Sequence, residues 1–245
     1  MSAGCTGIRS GCRRSSSIVV GVVLPFRRPG RSGRRVSAAP PFEMVTMTVA
    51  KAAIAEVIER LTRDMDIVRP GVWAIPLSDE HRAMLSIQAY KGGTFELEYG
   101  VSCRWVPHLE GKRWRWHKTL KQSRRDLWVD HFTLDAPPRH AISHLHGLEH
   151  LRKQAEMARD AVAPLARRWW DSVATAQGVL TEALRQEPAR GVVHWPHPSL
   201  VAAFSMARLG HVEAGTQHLA EASHLDEPLL TGALERLSEL TPTPH

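Results

Sequence analysis

The chain has 245 residues, 43% of them hydrophobic, and a formal charge of +7, so it can bury a sizeable core. Eight of the 32 basic residues (Arg9, Arg13, Arg14, Arg27, Arg28, Arg31, Arg34 and Arg35) precede residue 44 beside one acid, Glu43. Taking eight from 32 and one from 25 leaves 24 bases and 24 acids from Met44 onward, which removes the global charge argument for a polyanion binder.

Residues 1–43 are Arg-rich and Ser-rich, interrupted by Gly21, Pro25, Pro29, Gly30 and Gly33. The composition imitates a transit peptide without its amphipathic helix. The nine apolar residues Ile18 to Phe26 fall far short of the roughly 20 that cross a bilayer. The segment reads as translated upstream sequence, with the start at Met44 or Met47, or else as a disordered tail. Cys5, Cys12 and Cys103 offer neither a CxxC pair nor a disulfide framework, which points to a reducing, cytoplasmic setting, and no later apolar run is longer, so no membrane partner is expected.

Thr48 is a candidate cap for a helix through "VAKAAIAEVIERLTRDM", where Ala53, Ile54, Val57, Ile58 and Leu61 fall at helical spacing. The Arg69-Pro70-Gly71 turn closes it. Strands are expected at Val72 to Pro76, Ala83 to Tyr90, Thr94 to Val101 and Asp126 to Leu134, with Lys91-Gly92-Gly93 as a hairpin loop. Phe95, Leu97 and Tyr99 alternate with Glu96, Glu98 and Gly100, which predicts an antiparallel sheet with one wet face.

Between the last two strands lies "GKRWRWHKTLKQSRRDL", with seven Lys or Arg, one histidine and two tryptophans in 17 positions. Extended backbone would put Trp114, Trp116 and Lys118 on one face and Arg113, Arg115 and His117 on the other. Such a stretch suits single-stranded nucleic acid or another anion, by stacking and phosphate contact with Arg113, Trp114, Arg115, Trp116, Lys118 and Lys121. The competing reading is a crossover loop whose tryptophans close the sheet edge and whose cations meet Glu96, Glu98, Asp126 and Asp130.

Gly100-Val101-Ser102, Pro107-His108, Trp116-His117, Thr119, Lys121 and Asp126-Leu127 follow the pattern GVS…PH and WHxTxK….DL. On these residues the span from about Met47 to Ala161 resembles a bacterial domain family of unknown function. The resemblance implies a small α+β fold and carries no activity. It singles out His108, His117, Lys121 and Asp126, for which a structural role such as satisfying loop backbone groups is the competing explanation. His131 joins these histidines on or near the sheet.

From Pro138 the chain reads as one long helix or two divided near Pro164, on which His140, His144, His146 and His150 form two i,i+4 pairs facing different ways. Residues 188–198 read as a linker after an α+β domain at 47–187. Residues 199–241 read as a helical hairpin, its Ala207, Leu209, Gly210, Ala214, Leu219 and Ala220 resembling a single tetratricopeptide-type repeat. The expected fold is therefore α+β: an N-terminal helix, a roughly four-stranded antiparallel sheet, a long helix and a C-terminal hairpin.

The sequence contains no GxGxxG, Walker loop, GxSxG, HExxH or CxxC, so no cofactor or metal is implied and catalysis has no motif. The leading expectation is a cytosolic, non-enzymatic binding or protein-interaction module, with the C-terminal helices as a partner surface. Nucleic-acid binding and a metal-dependent hydrolase built on the clustered histidines are the alternatives.

Overall fold

The computed structural model describes residues 45–116, 119–130, 140–189, 196–222 and 225–240. His117, Lys118 and His131 lie outside them, as do the tail and residues 131–134 of the last expected strand.

Helix α1 spans Met47–Val57 and is capped by Thr46 rather than Thr48: the Thr46 hydroxyl accepts from the Val49 amide at 3.3 Å. Ala50, Ala53 and Ile54 form its buried stripe. A short turn of helix, α2 (Glu59–Thr62), leads into the sheet.

Strands β1 (Asp66–Arg69), β2 (Val72–Pro76), β3 (His81–Tyr90) and β4 (Thr94–Cys103) run as an antiparallel meander. Gly92 and Gly93, with φ of 86° and 75°, supply the turn between β3 and β4 that an L side chain would strain. A small hairpin of β5 (His108–Glu110) and β6 (Arg113–Arg115) follows, off the main sheet. The outer edge of β4 is then shared: β7 (Leu127–Val129) pairs with Tyr99 to Val101, and β8 (Ile142–Ser143) pairs with Thr94 and Phe95.

Gly100 is needed at this edge. A β-carbon there would stand 2.5 Å from the Leu127 carbonyl oxygen, and its own carbonyl accepts from the Trp170 indole at 3.0 Å.

Helix α3 (Leu148–Ser172) passes through Pro164 without dividing. Pro164 lies on the exposed side, so the acceptor left by its missing N–H faces solvent, while Leu151, Ala155, Ala158, Val162, Ala166 and Trp170 hold the opposite stripe in the core. The break comes instead at Val173 to Thr175. The Thr175 hydroxyl caps α4 (Ala176–Gln186) by accepting from the Gly178 amide at 3.1 Å.

The helix also starts later than the histidine spacing suggests. Residues 142–143 are committed to β8, and Gly147 with φ of 85° sets the entry, so of the four histidines only His150 is helical.

Helices α5 (Pro198–Arg208), α6 (Val212–Ala220) and α7 (Glu227–Ser238) complete the fold. Gly215 lets α6 approach α5 closely: a β-carbon there would sit 2.5 Å from the Ala203 carbonyl oxygen.

Two cores result. One face of the sheet, through Leu85, Ile87, Phe95, Leu97 and Tyr99, packs on α1 and α3. The end of β4 with Trp105, Val106, Trp114 and Leu127 packs on α4 to α7.

The other face of the sheet is not wet. Glu98 is 2% exposed and Glu96 5%, because the segment before β7 lies across this face. Arg82 fastens that segment, donating to the Thr119 carbonyl at 3.0 Å and to the Ser123 hydroxyl at 2.7 Å. Leu120, at the head of a 3-10 turn over Leu120–Gln122, packs on Val72, Ala74 and Met84.

Among the described residues, no helix is long and apolar enough to cross a membrane.

Candidate functional site

The covered face holds a polar network. Arg125 pairs with the buried Glu98, which also accepts from the Tyr90 hydroxyl, and Arg125 donates to the Ser86 hydroxyl at 3.0 Å. On its other side the Arg125 guanidinium lies 5.5 Å from the centre of the Trp128 ring, whose indole donates to Asp130 at 2.8 Å. Three contacts, two of them to partners that are themselves hydrogen-bonded, thus hold a cation that reached this face from a loop.

Next to this network is a cleft of about 340 Å³. The 3-10 turn delivers Arg124 and Arg125 to one wall, the Arg69-Pro70-Gly71 turn delivers Arg69 from the end of β1, and β5 contributes His108 and Leu109. Trp128, Asp126 and Pro196 complete the lining.

Asp126 is only 1% exposed. Its Oδ2 accepts from the Cys103 amide at 2.6 Å, and its own amide donates to the Val101 carbonyl at 2.8 Å, so the carboxylate satisfies a backbone group at the end of β4 while the main chain of Asp126 satisfies another.

Arg69 and Arg124 are different. Both are exposed at the mouth, and neither has an acidic partner among the described residues. Burial of its inner part, and then the positive charge of Arg124, lower the pKa of Arg69 from its ordinary value. Two like charges thus line one cleft close enough for one to act on the other.

The other candidates fall elsewhere. In β6, Trp114 is buried at 6% exposure and Arg113 and Arg115 point outward, as the alternation predicts. The tryptophans cover helices rather than the sheet edge. The Trp114 indole donates to the Leu229 carbonyl at 3.1 Å over Gly232, and Trp116 donates to Glu239 at 3.3 Å with its ring against Phe204. The stacking role expected of Trp114 has no open ring face to work with.

Arg115 pairs with Glu110, and both arginines line a second cleft with Lys112 and Arg236 of α7. Lys121 is exposed on the 3-10 turn. Of the crossover-loop pairings, Arg125 with Glu98 forms.

His140 and His150 line a separate cavity of about 330 Å³, and the rings of His146 and His150 lie 5.1 Å apart. His144 has left any such group: its Nδ1 is 2.6 Å from the Gly93 carbonyl. Among the described residues no three His, Cys, Asp or Glu are grouped to hold a metal ion.

Cys103 is fully buried, and burial, together with Asp126 and Glu80, pushes its thiol well above the ordinary value, so it stays protonated at neutral pH and is a poor nucleophile. The cleft is equipped to bind an anion; no activated nucleophile faces it among the described residues.

Sequence reasoning selected His108 and Asp126 but missed Arg69, Arg124, Arg125 and Trp128. The Arg124-Arg125 doublet lay inside the basic stretch and was legible there. Arg69 carried no local signal, because only the meander brings it to this wall.

The chain is an α+β protein with an arginine-lined cleft on the covered face of its sheet. No family model matches it, and no curated protein or solved structure matches it either.

Proposed function

We propose that this protein is a non-enzymatic binding module that takes up an anionic ligand in the cleft between β1, β5 and the segment entering β7. The observation that supports this reading is the pair Arg69 and Arg124: two guanidiniums at one cavity mouth, without acidic partners among the described residues. Their mutual repulsion is relieved by an oxyanion between them, and a planar guanidinium matches a carboxylate or phosphate edge with paired donors. Arg125 supplies a third, already oriented cation, and Trp128 and Leu109 an apolar wall.

The protein belongs, on this proposal, in the cytoplasm, where Cys103 stays reduced, and the bacterial family of unknown function remains its proposed kin. Isothermal titration of the full chain with phosphate tests the reading. Arg69→Ala and Arg124→Ala, both on exposed side chains, should each weaken binding several-fold without lowering Tm. Binding that is untouched by both substitutions would sink it.

A further inference from the structure

The charges of the cleft select among anions. Arg125 is already neutralised by Glu98, so it orients a ligand more than it attracts one. Arg69 and Arg124 carry two positive charges, and neither is ion-paired among the described residues. Among the described residues the other titratable groups facing the cleft are Asp126 from the same segment as Arg124 and His108 from β5. With the imidazole protonated these two cancel; with it neutral they leave one negative charge. The described residues of the cleft therefore present a net charge between +1 and +2.

A carboxylate or a phosphodiester brings a single negative charge and two free oxygens into this positive field. A phosphate monoester brings up to two, over three terminal oxygens, with a second ionisation near pH ~6. Size points the same way. About 340 Å³ lies at the small end of ligand sites, and the lining by Trp128, Leu109 and Pro196 beside the arginines suits a small organic group attached to a charged end better than a strand passing through.

We propose that the ligand of this cleft is a phosphate monoester, held as its dianion between Arg69 and Arg124 with its organic group against Trp128 and Leu109. This rests on the anion-binding reading given above.

The test uses two ligands of the same shape. Phenyl phosphate passes from monoanion to dianion between pH 5.0 and 7.5, whereas phenyl sulfate is a monoanion throughout, so it reports any change in the cleft itself, including titration of His108. Full-length protein is titrated with each at both pH values, with circular dichroism checking that it stays folded. At pH 7.5 phenyl phosphate should bind at least about tenfold tighter than phenyl sulfate. At pH 5.0 the two should converge, and Arg69→Ala or Arg124→Ala should shrink the difference at pH 7.5.

Equal affinity for both ligands at both pH values, still dependent on the two arginines, would overturn the dianion while leaving the cleft an anion site. Absence of binding by either ligand, or binding indifferent to both substitutions, would overturn the cleft itself and the inference with it.

Discussion

His81 should make the fold sensitive to acid. It is the first residue of β3, where the sheet meets α4 and α5, and its ring lies edge-on to Trp105 at 4.4 Å with Nδ1 2.8 Å from the Ser78 hydroxyl. Burial, partly offset by Glu80 and the Thr175 carbonyl and assisted by Arg208, pushes its pKa down to about 4. A base whose folded pKa lies below its unfolded value is stabilising in its neutral form. The contribution is therefore complete above the unfolded value near ~6.5 and drains away as pH falls toward 4. At ~1.36 kcal/mol per pH unit the shift amounts to at most about 3 kcal/mol, of which roughly 2.5 is gone by pH 4.5.

The assay is urea unfolding at pH 7.0 and 4.5 for the protein and for His81→Gln, which retains polarity but does not titrate. Carboxylates titrate in the same window in both proteins, so the informative quantity is the difference between the two pH dependences. The wild type should lose about 2 kcal/mol more than the variant. Equal losses would show that His81 is protonated in the fold without cost and that its buried environment has been misjudged.

Two further perturbations probe packing and the polar network. Gly178→Ala would place a β-carbon 2.0 Å from the Ser172 carbonyl oxygen, so α4 must shift away from the end of α3; thermal unfolding should show a loss on the order of 2 kcal/mol or more. Arg125→Met leaves the Glu98 charge buried and should cost about 3 to 5 kcal/mol, whereas the double variant Glu98→Gln/Arg125→Met should recover much of it; a purely additive cycle in urea unfolding would dissolve the pairing.

The elements that could be read from sequence were those specified locally. Val72 to Pro76 was bounded by its own turn residues, and the β3–β4 hairpin was announced by Gly92 and Gly93, whose positive φ few other residues tolerate. β1, β5 and β8 were not seen, because two to four residues are too few for alternation to show.

The acids of β4 gave the opposite lesson. Glu96 and Glu98 in alternation with aromatics predict water on that face, and the prediction fails because a cation 27 residues later returns to meet Glu98. The histidine pairs failed for a similar reason: pairing of Ile142 with Phe95 across the sheet outweighed helical spacing. In the cleft, Asp126 and His108 were legible as residues, but their neighbour Arg69 is set beside them only by strand order.

Trp169 gives the interior a continuity that the element boundaries conceal. Its ring lies 5.6 Å from that of Tyr99, its indole donates to Glu182 of α4 at 3.0 Å, and it packs against both cores. A chain cut after Gln186 would lose Leu200, Val201 and Phe204, the residues that cover Val179, Leu180 and Ala183, and the side of Trp169 turned toward them would open to water. The C-terminal helices thus act as a lining for the sheet half, and melting followed at Trp169 should register both halves in a single cooperative transition.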